Sequence, residues 1–358
     1  MEHGTGRLGD VAHDGSEHDD VAHNRSEHDG SELVGSEHDG RGHELVAATR
    51  RPPTPRREGS APSRILVSGA SGMIGSELVR QLRADGHEVQ KLVRRAPNAA
   101  DEINWAPSAG MLDAKVMDSV DAVINLSGAT LSKLPWTDSY KKKILESRLE
   151  TTHALADAMS RASDPPTTFL SASAVGIYGD RPAVRLDDDA ARGTGFLADV
   201  VEAWEEAAHT APENTRVVTF RTGLVIGPGG AMTPLLLLTR FGLGSKIGTG
   251  GQHWPWISLH DEAAAIRHLL FSPLAGSVNL AGPTPATADR LTAALARRMH
   301  RPYAFGVPEK FLTTVLGEAG QDLLLSSQKV LPTRLLADGF TFRDQTVEAA
   351  IDALLAKK

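Results

Sequence analysis

Three features of the sequence predict an α/β fold, a doubly wound parallel sheet with a small, mainly helical C-terminal region. The first is Ile65 to Arg95, where a short apolar run leads into Gly69, Gly72 and Gly75, a helical pattern and a second apolar run. The second is a series of further short apolar runs separated by helical segments, the order expected of parallel strands joined by crossover helices. The third is the tail from Tyr303 to Lys358. Its amphipathic segments and its Leu331-Pro332 break read as a helical appendage closing one side of a cleft.

A length of 358 residues with 41% hydrophobic side chains suffices for one large domain and an appendage. The net charge of -7 provides no basic field, so nucleic acid is not an expected partner. The absence of cysteine excludes disulfides and thiolate metal sites and fits a cytoplasmic protein. No apolar run approaches the roughly 20 residues of a membrane helix, and no secretory segment is evident, so no membrane partner is expected. The expected partners are a small-molecule substrate and, at most, a second copy in a homodimer.

Residues 1–62 read as a tail outside the fold. SEHD recurs at Ser16, Ser26 and Ser36, and DVAH at Asp10 and Asp20, in a context too polar to offset ordering entropy. Seven of the 14 histidines lie here. The expectation is a disordered tail or an extension from a wrongly assigned start, with metal binding as the alternative. Arg50 to Arg57 reads as an extended basic linker.

Residues 63–300 read as a dinucleotide-binding domain with substrate-side insertions, and 301–358 as the helical C-terminal domain. After the apolar run at Ile65, Gly69 permits a tight turn, Gly72 admits a pyrophosphate to the backbone, and Gly75 lets helix and strand pack closely. Ile74, Leu78, Val79 and Leu82 mark the helix, and Gly86 ends it. The second strand, Val89 to Val93, runs into Arg94 and Arg95, where an NAD site usually carries an acid. Arginine there suits a 2′-phosphate, so NADP(H) is the expected cofactor.

Asp121 to Leu126 is the next buried strand, and Ser127-Gly128-Ala129 at its end is expected over the cofactor. Trp136 to Met159 is a long crossover helix. Its Lys143 and Arg148 either sit in solvent or turn toward phosphates. Thr168 to Gly179 starts as a strand and ends in small residues. Ser171 and Ser173 there are candidates to hydrogen-bond a substrate carbonyl or hydroxyl, with close packing as the alternative. Thr194 to Ala208 is a helix, Arg216 to Val225 a strand, and Gly227 to Gly230 a turn. The glycine-rich loop with Trp254 and Trp256 suits a lid or substrate wall. Asp261 reads as the N-cap of the following helix, a His260-Asp261 acid/base pair being the alternative. Val278 to Leu280 is a short strand and Asp289 to His300 a helix.

Seven ordered motifs then resemble one family: GASGMIG, VINLSGATL, KKKILESRLETT, SASAVGIYGD, RTGLVIGPGGAM, GSKIGTGGQHWPWISLHDE and LLLSSQKVLPTRLLADGF. They are similar to the atypical extended short-chain dehydrogenase/reductases described as epimerase family proteins, over about residues 63–358. The resemblance implies a Rossmann-type fold, a C-terminal domain of unknown function and NADP(H). It implies that the cofactor is bound by the glycine loop (Gly69, Ser71, Gly72, Met73, Ile74, Gly75), by Arg94 and Arg95, and by Leu126, Ser127 and Gly128. Lys143, Arg148 and the backbone near Leu224 complete that set.

The chain departs from the family in one respect. Extended reductases use a Tyr-x-x-x-Lys pair, in which lysine lowers the tyrosine pKa for proton exchange. Here Tyr140, Tyr178 and Tyr303 are followed four residues on by Ile144, Pro182 and Val307, and the helix expected to carry the pair reads Phe196-Leu197-Ala198-Asp199-Val200-Val201, with neither partner. Two functions follow. One is an oxidoreductase or epimerase on a small, sugar-like substrate, with Ser171 or Ser173 polarising it and Tyr178 or water handling the proton. The other is a sensor or regulatory protein that keeps the nucleotide site without the chemistry.

Overall fold

A computed structural model describes residues 63–356. The readings of residues 1–62, the repeat tail, its histidines and the basic linker, lie outside the described residues.

Seven parallel strands form the central sheet. They are β1 (Arg64–Ser68), β2 (Glu88–Val93), β3 (Glu102–Asn104), β4 (Ala122–Asn125), β5 (Thr168–Ala174), β6 (Arg216–Thr222) and β7 (Gly276–Leu280), in the spatial order β7-β6-β5-β4-β1-β2-β3. The chain moves outward from β1 on one side, then returns to β4 and builds the other side. The strand order therefore reverses between β1 and β4, the position where a doubly wound sheet opens a crevice at its carboxyl edge.

Alternation along β1 sets the two layers. Ile65 and Val67 face one side, where they pack with Leu78 and Leu82 of helix α1 (Met73–Ala84) and with Ile266 and Leu269 of a helix at Leu259–Phe271. Leu66 faces the other side, against Leu155 and Met159 of helix α2 (Asp138–Ser160) and Ala208 of helix α3 (Phe196–Ala208). Helix α1 ends as its sequence suggests: Gly86 has φ 86°, a conformation glycine enters without strain. Among the described residues no helix is long and apolar enough to cross a membrane.

After β6 the chain also forms helix α4 (Met232–Arg240), helix α5 (Leu259–Phe271), helix α6 (Ala288–Arg298), helix α7 (Glu309–Leu316) and helix α8 (Val347–Ala356). The tail from Tyr303 is woven in by strands as well as helices. Phe305–Val307 pairs with Ser245–Ile247, and Gln328–Val330 pairs with Arg181–Leu186. One apolar cluster joins Trp254 and Trp256 to Leu291 and Leu295 of α6, Leu312 of α7 and Ile351 of α8. The cap of α5 is Ser258, whose hydroxyl accepts from the Asp261 N–H, and this corrects the expectation of Asp261. Asp261 is 1% exposed and accepts instead from the N–H groups of Arg343 and Asp344, so it anchors the tail.

Candidate functional site

A cavity of about 850 Å³ opens at the carboxyl edge of the sheet, at the β1/β4 reversal. Gly69, Ser71 and Gly72 form its floor, Leu126, Ser127 and Gly128 one wall, and Arg94 and Arg95 the far end. Tyr140, Lys143, Ser147 and Thr151 of α2 close the side. That polar stripe at helical spacing is visible in the sequence, though only Lys143 carries a charge that points to a phosphate.

The glycines are required by contact. A Cβ on Gly69, whose φ is +70°, would lie 2.7 Å from the Leu126 backbone. One on Gly75 would lie 2.3 Å from the Gly69 carbonyl oxygen. No side chain caps α1 at Gly72, so its first N–H groups remain available to an anionic ligand. A buried chain of hydrogen bonds holds the opposite wall: Ser127 Oγ to Ser68 Oγ (3.0 Å), Ser68 Oγ to Asn125 Oδ1 (2.6 Å) and Asn125 Nδ2 to Thr152 Oγ1 (3.0 Å).

Cations surround this cradle. Arg94 and Lys143 have no ion-pair partner among the described residues. Arg95 is paired with Glu102, a lining residue that the sequence reading missed because β3 is only three residues long. Met73, Ile74, Gly75, Arg148 and Leu224 do not line the cavity. Met73 packs against Gly227, and Leu224 sits on a short strand beside Trp256. Arg148 is 9% exposed, with its guanidinium 4.9 Å from the Trp204 ring and beside Gly128. Burial lowers its pKa to about 10, and it has no carboxylate partner among the described residues.

The hydroxyls expected to act on substrate are placed elsewhere. Ser171, Ser173 and Tyr178 do not line the cavity, and the cause is plain. Alternation on β5 turns Ser173 toward α3, where its Oγ donates to Glu205 at 2.5 Å. Glu205 is held fork to fork by Arg221 (2.8 and 2.9 Å), and Arg221 donates to the Tyr178 hydroxyl at 3.0 Å. That hydroxyl also lies 2.7 Å from Asn279 Oδ1, and burial raises its pKa. Ser171 is fully buried within the same strand.

Phe196 opens α3, the helix expected to carry a Tyr-x-x-x-Lys pair. The Trp136 ring meets it edge-on at 5.7 Å, and Lys141 Nζ sits 4.4 Å from its centre. Lys141 also pairs with Glu318 of the tail at 2.5 Å. Near both is Asp322, whose carboxyl is pushed up to about 6 by burial and by the Glu318 charge. The Asp322 carboxyl group makes no hydrogen bond to another described residue.

Residues 65–281 match the NAD dependent epimerase/dehydratase family, and 307–354 match a domain of unknown function (DUF1731). Over 290 residues, 80% of this chain and 96% of the relative, it is 37% identical to epimerase family protein MT2273 of Mycobacterium tuberculosis. A crystal structure of human epimerase family protein SDR39U1 (isoform 2) with NADPH superimposes with a TM-score of 0.76 at 33% identity, covering 82% of this chain and all of that one. A nucleoside-diphosphate sugar epimerase from Corynebacterium glutamicum gives a TM-score of 0.68 at 30% identity, covering 83% of this chain and 59% of that one.

Proposed function

Because this chain belongs to the NAD-dependent epimerase/dehydratase family, we propose that it is an NADP(H)-binding oxidoreductase or epimerase acting on a small, sugar-like substrate. The observation that carries this reading is the cavity itself: a glycine cradle that a Cβ would fill, ringed by Arg94, Arg95 and Lys143. The residues fit such a dinucleotide. Gly69 to Gly75 and the start of α1 would hold the pyrophosphate, and Arg94 and Arg95 the 2′-phosphate. NADPH in the human relative and the sugar-nucleotide description of the Corynebacterium protein support the same choice. When bound, the cofactor supplies or takes up a hydride.

The chain must still move a proton without a Tyr-x-x-x-Lys pair. Asp322 lies outside the cavity lining, as Tyr178 does, but burial and the Glu318 charge raise its carboxyl to about 6, whereas the Tyr178 hydroxyl is buried and committed to Arg221 and Asn279. Lys141 beside it would steady the ionised form. The cysteine-free composition supports a cytoplasmic setting. The second reading, a nucleotide sensor, is favoured by the enclosure of Ser173 and Tyr178 in a structural network.

NADPH binding and NADPH consumption across nucleotide sugars, quinones and small carbonyl compounds separate the two. Turnover that Asp322→Asn abolishes without weakening NADPH binding supports the enzyme and its proton carrier. Tight NADPH binding with no turnover on the panel supports the sensor. Failure to bind NADPH would end both readings.

A further inference from the structure

Of the eleven large apolar side chains that the described residues leave exposed, seven lie in two short stretches. Leu237, Leu238, Phe241 and Leu243 are 54%, 47%, 70% and 58% exposed, and Phe305, Phe311 and Val315 are 71%, 58% and 52% exposed. The fold puts these stretches together. Phe305–Val307 pairs in parallel with Ser245–Ile247, and a Cβ on Gly242 would lie 3.5 Å from Pro302. Helix α4 turns Met232, Leu235 and Leu236 inward onto the apolar cluster and leaves Leu237 and Leu238 outside. Helix α7 does the same, with Leu312 inward and Phe311 and Val315 outward. Folding has not consumed this surface, and contiguous exposed apolar area of this kind marks an interaction site.

The charge around it is mostly positive, with Asp289 beside Lys246 at Gly250. Within 237–246 and 301–316 the basic residues are Arg240, Lys246, Arg301 and Lys310, and the sole acid is Glu309. None of the four cations has an ion-pair partner among the described residues, although arginines elsewhere on this surface are paired, as Arg290 is with Glu348. The whole chain carries a net charge of -7, so this face runs against its balance.

We propose that this face seats the protein on an anionic lipid surface, with Phe and Leu side chains entering the headgroup layer and the four cations meeting lipid phosphates. This replaces the expectation that the chain has no membrane partner and does not depend on what the cavity binds. A second copy is the less fitting occupant. A two-fold interface sets a patch against itself and would bring the four cations onto their own copies. An anionic bilayer complements charge and apolar area together.

The test is co-sedimentation of the full chain with sucrose-loaded phosphatidylcholine vesicles, with and without phosphatidylglycerol. Binding is expected to the anionic vesicles and to fall as salt rises above about 0.1 M. Leu238→Glu with Phe241→Glu should lower partitioning at least about tenfold, and Arg240→Gln with Lys246→Gln about fivefold for each charge removed. All four positions are exposed, so melting temperature should not move; if the glutamate pair did destabilise the chain, the glutamine pair would decide. Three results would overturn the proposal. They are no binding to anionic vesicles, binding indifferent to both variant pairs, and a dimer in light scattering that the glutamate pair dissociates, which would give the face to a second copy.

Discussion

Arg95 and Glu102 meet fork to fork at the end of the cavity, Nη1 to Oε2 at 2.8 Å and Nη2 to Oε1 at 2.9 Å. The two partners are not equally fixed. The Glu102 side chain is 9% exposed against 53% for Arg95, and its carboxylate also accepts from the Asn98 N–H. The Arg95 bond and that N–H hold its pKa down to about 2. A 2′-phosphate would have to draw Arg95 away from a carboxylate that stays in place. Glu102→Gln is therefore expected to tighten NADPH binding several-fold and leave NADH unchanged, as read by fluorescence titration. An equal change for both nucleotides would contradict this role.

Two glycine substitutions should behave oppositely. Gly75→Ala would set a Cβ 2.3 Å from the Gly69 carbonyl oxygen and 2.8 Å from the Ala70 Cα, both backbone atoms. Helix and strand must separate, at about 1–3 kcal/mol or more, and NADPH binding should go with the loss. Gly128→Ala would meet only the Arg148 side chain, at 3.4 Å, which can shift. Its unfolding free energy should stay within about 0.5 kcal/mol of the parent. Denaturant melts of both variants check the contrast.

Ser173→Ala removes a hydrogen bond to the ion-paired Glu205. A bond to a charged group contributes about 1.5–3 kcal/mol, so the melting temperature should fall by several degrees. Were Ser173 to act on substrate instead, turnover would drop while the melting curve stayed put.

Glu262 gives a pH dependence of defined sign. It is fully buried, one oxygen accepts from Thr222 at 2.7 Å, and the other has no partner. Burial raises its pKa from 4.5 to about 8. Between those values the folded state holds a proton that the unfolded state releases. Stability from this group is full below the unfolded value and falls as pH rises, by at most about 1.4 kcal/mol per pH unit, until it levels above the folded value. Melting curves from pH 5 to 9 should show the parent losing stability relative to Glu262→Gln. Parallel curves for the two proteins would contradict it.

Much of the fold was legible because its signals are local. The β1 run, the three glycines, the periodicity of α1 and the Gly86 stop all lie within one short segment, and each constrains only its neighbours. The same holds for Arg94 and Arg95 at the end of β2, whose place at the cavity follows from strand direction alone. Less was legible where a residue's role depends on a partner far along the chain. Asp261 looked like a cap, yet Ser258 caps the helix and Asp261 ties down Arg343 and Asp344, more than 80 positions away.

By itself, then, the sequence determined the doubly wound sheet, the tight glycine loop and the absence of a Tyr-x-x-x-Lys pair, because periodicity, glycine spacing and residue identity are properties of the chain before it folds. Only tertiary structure decided that Ser173 turns to Glu205, that Lys141 lies between Phe196 and Glu318, and that two separated stretches share one apolar, basic face. Each of those depends on which distant segment a side chain packs against, and burial is settled by the whole assembled surface.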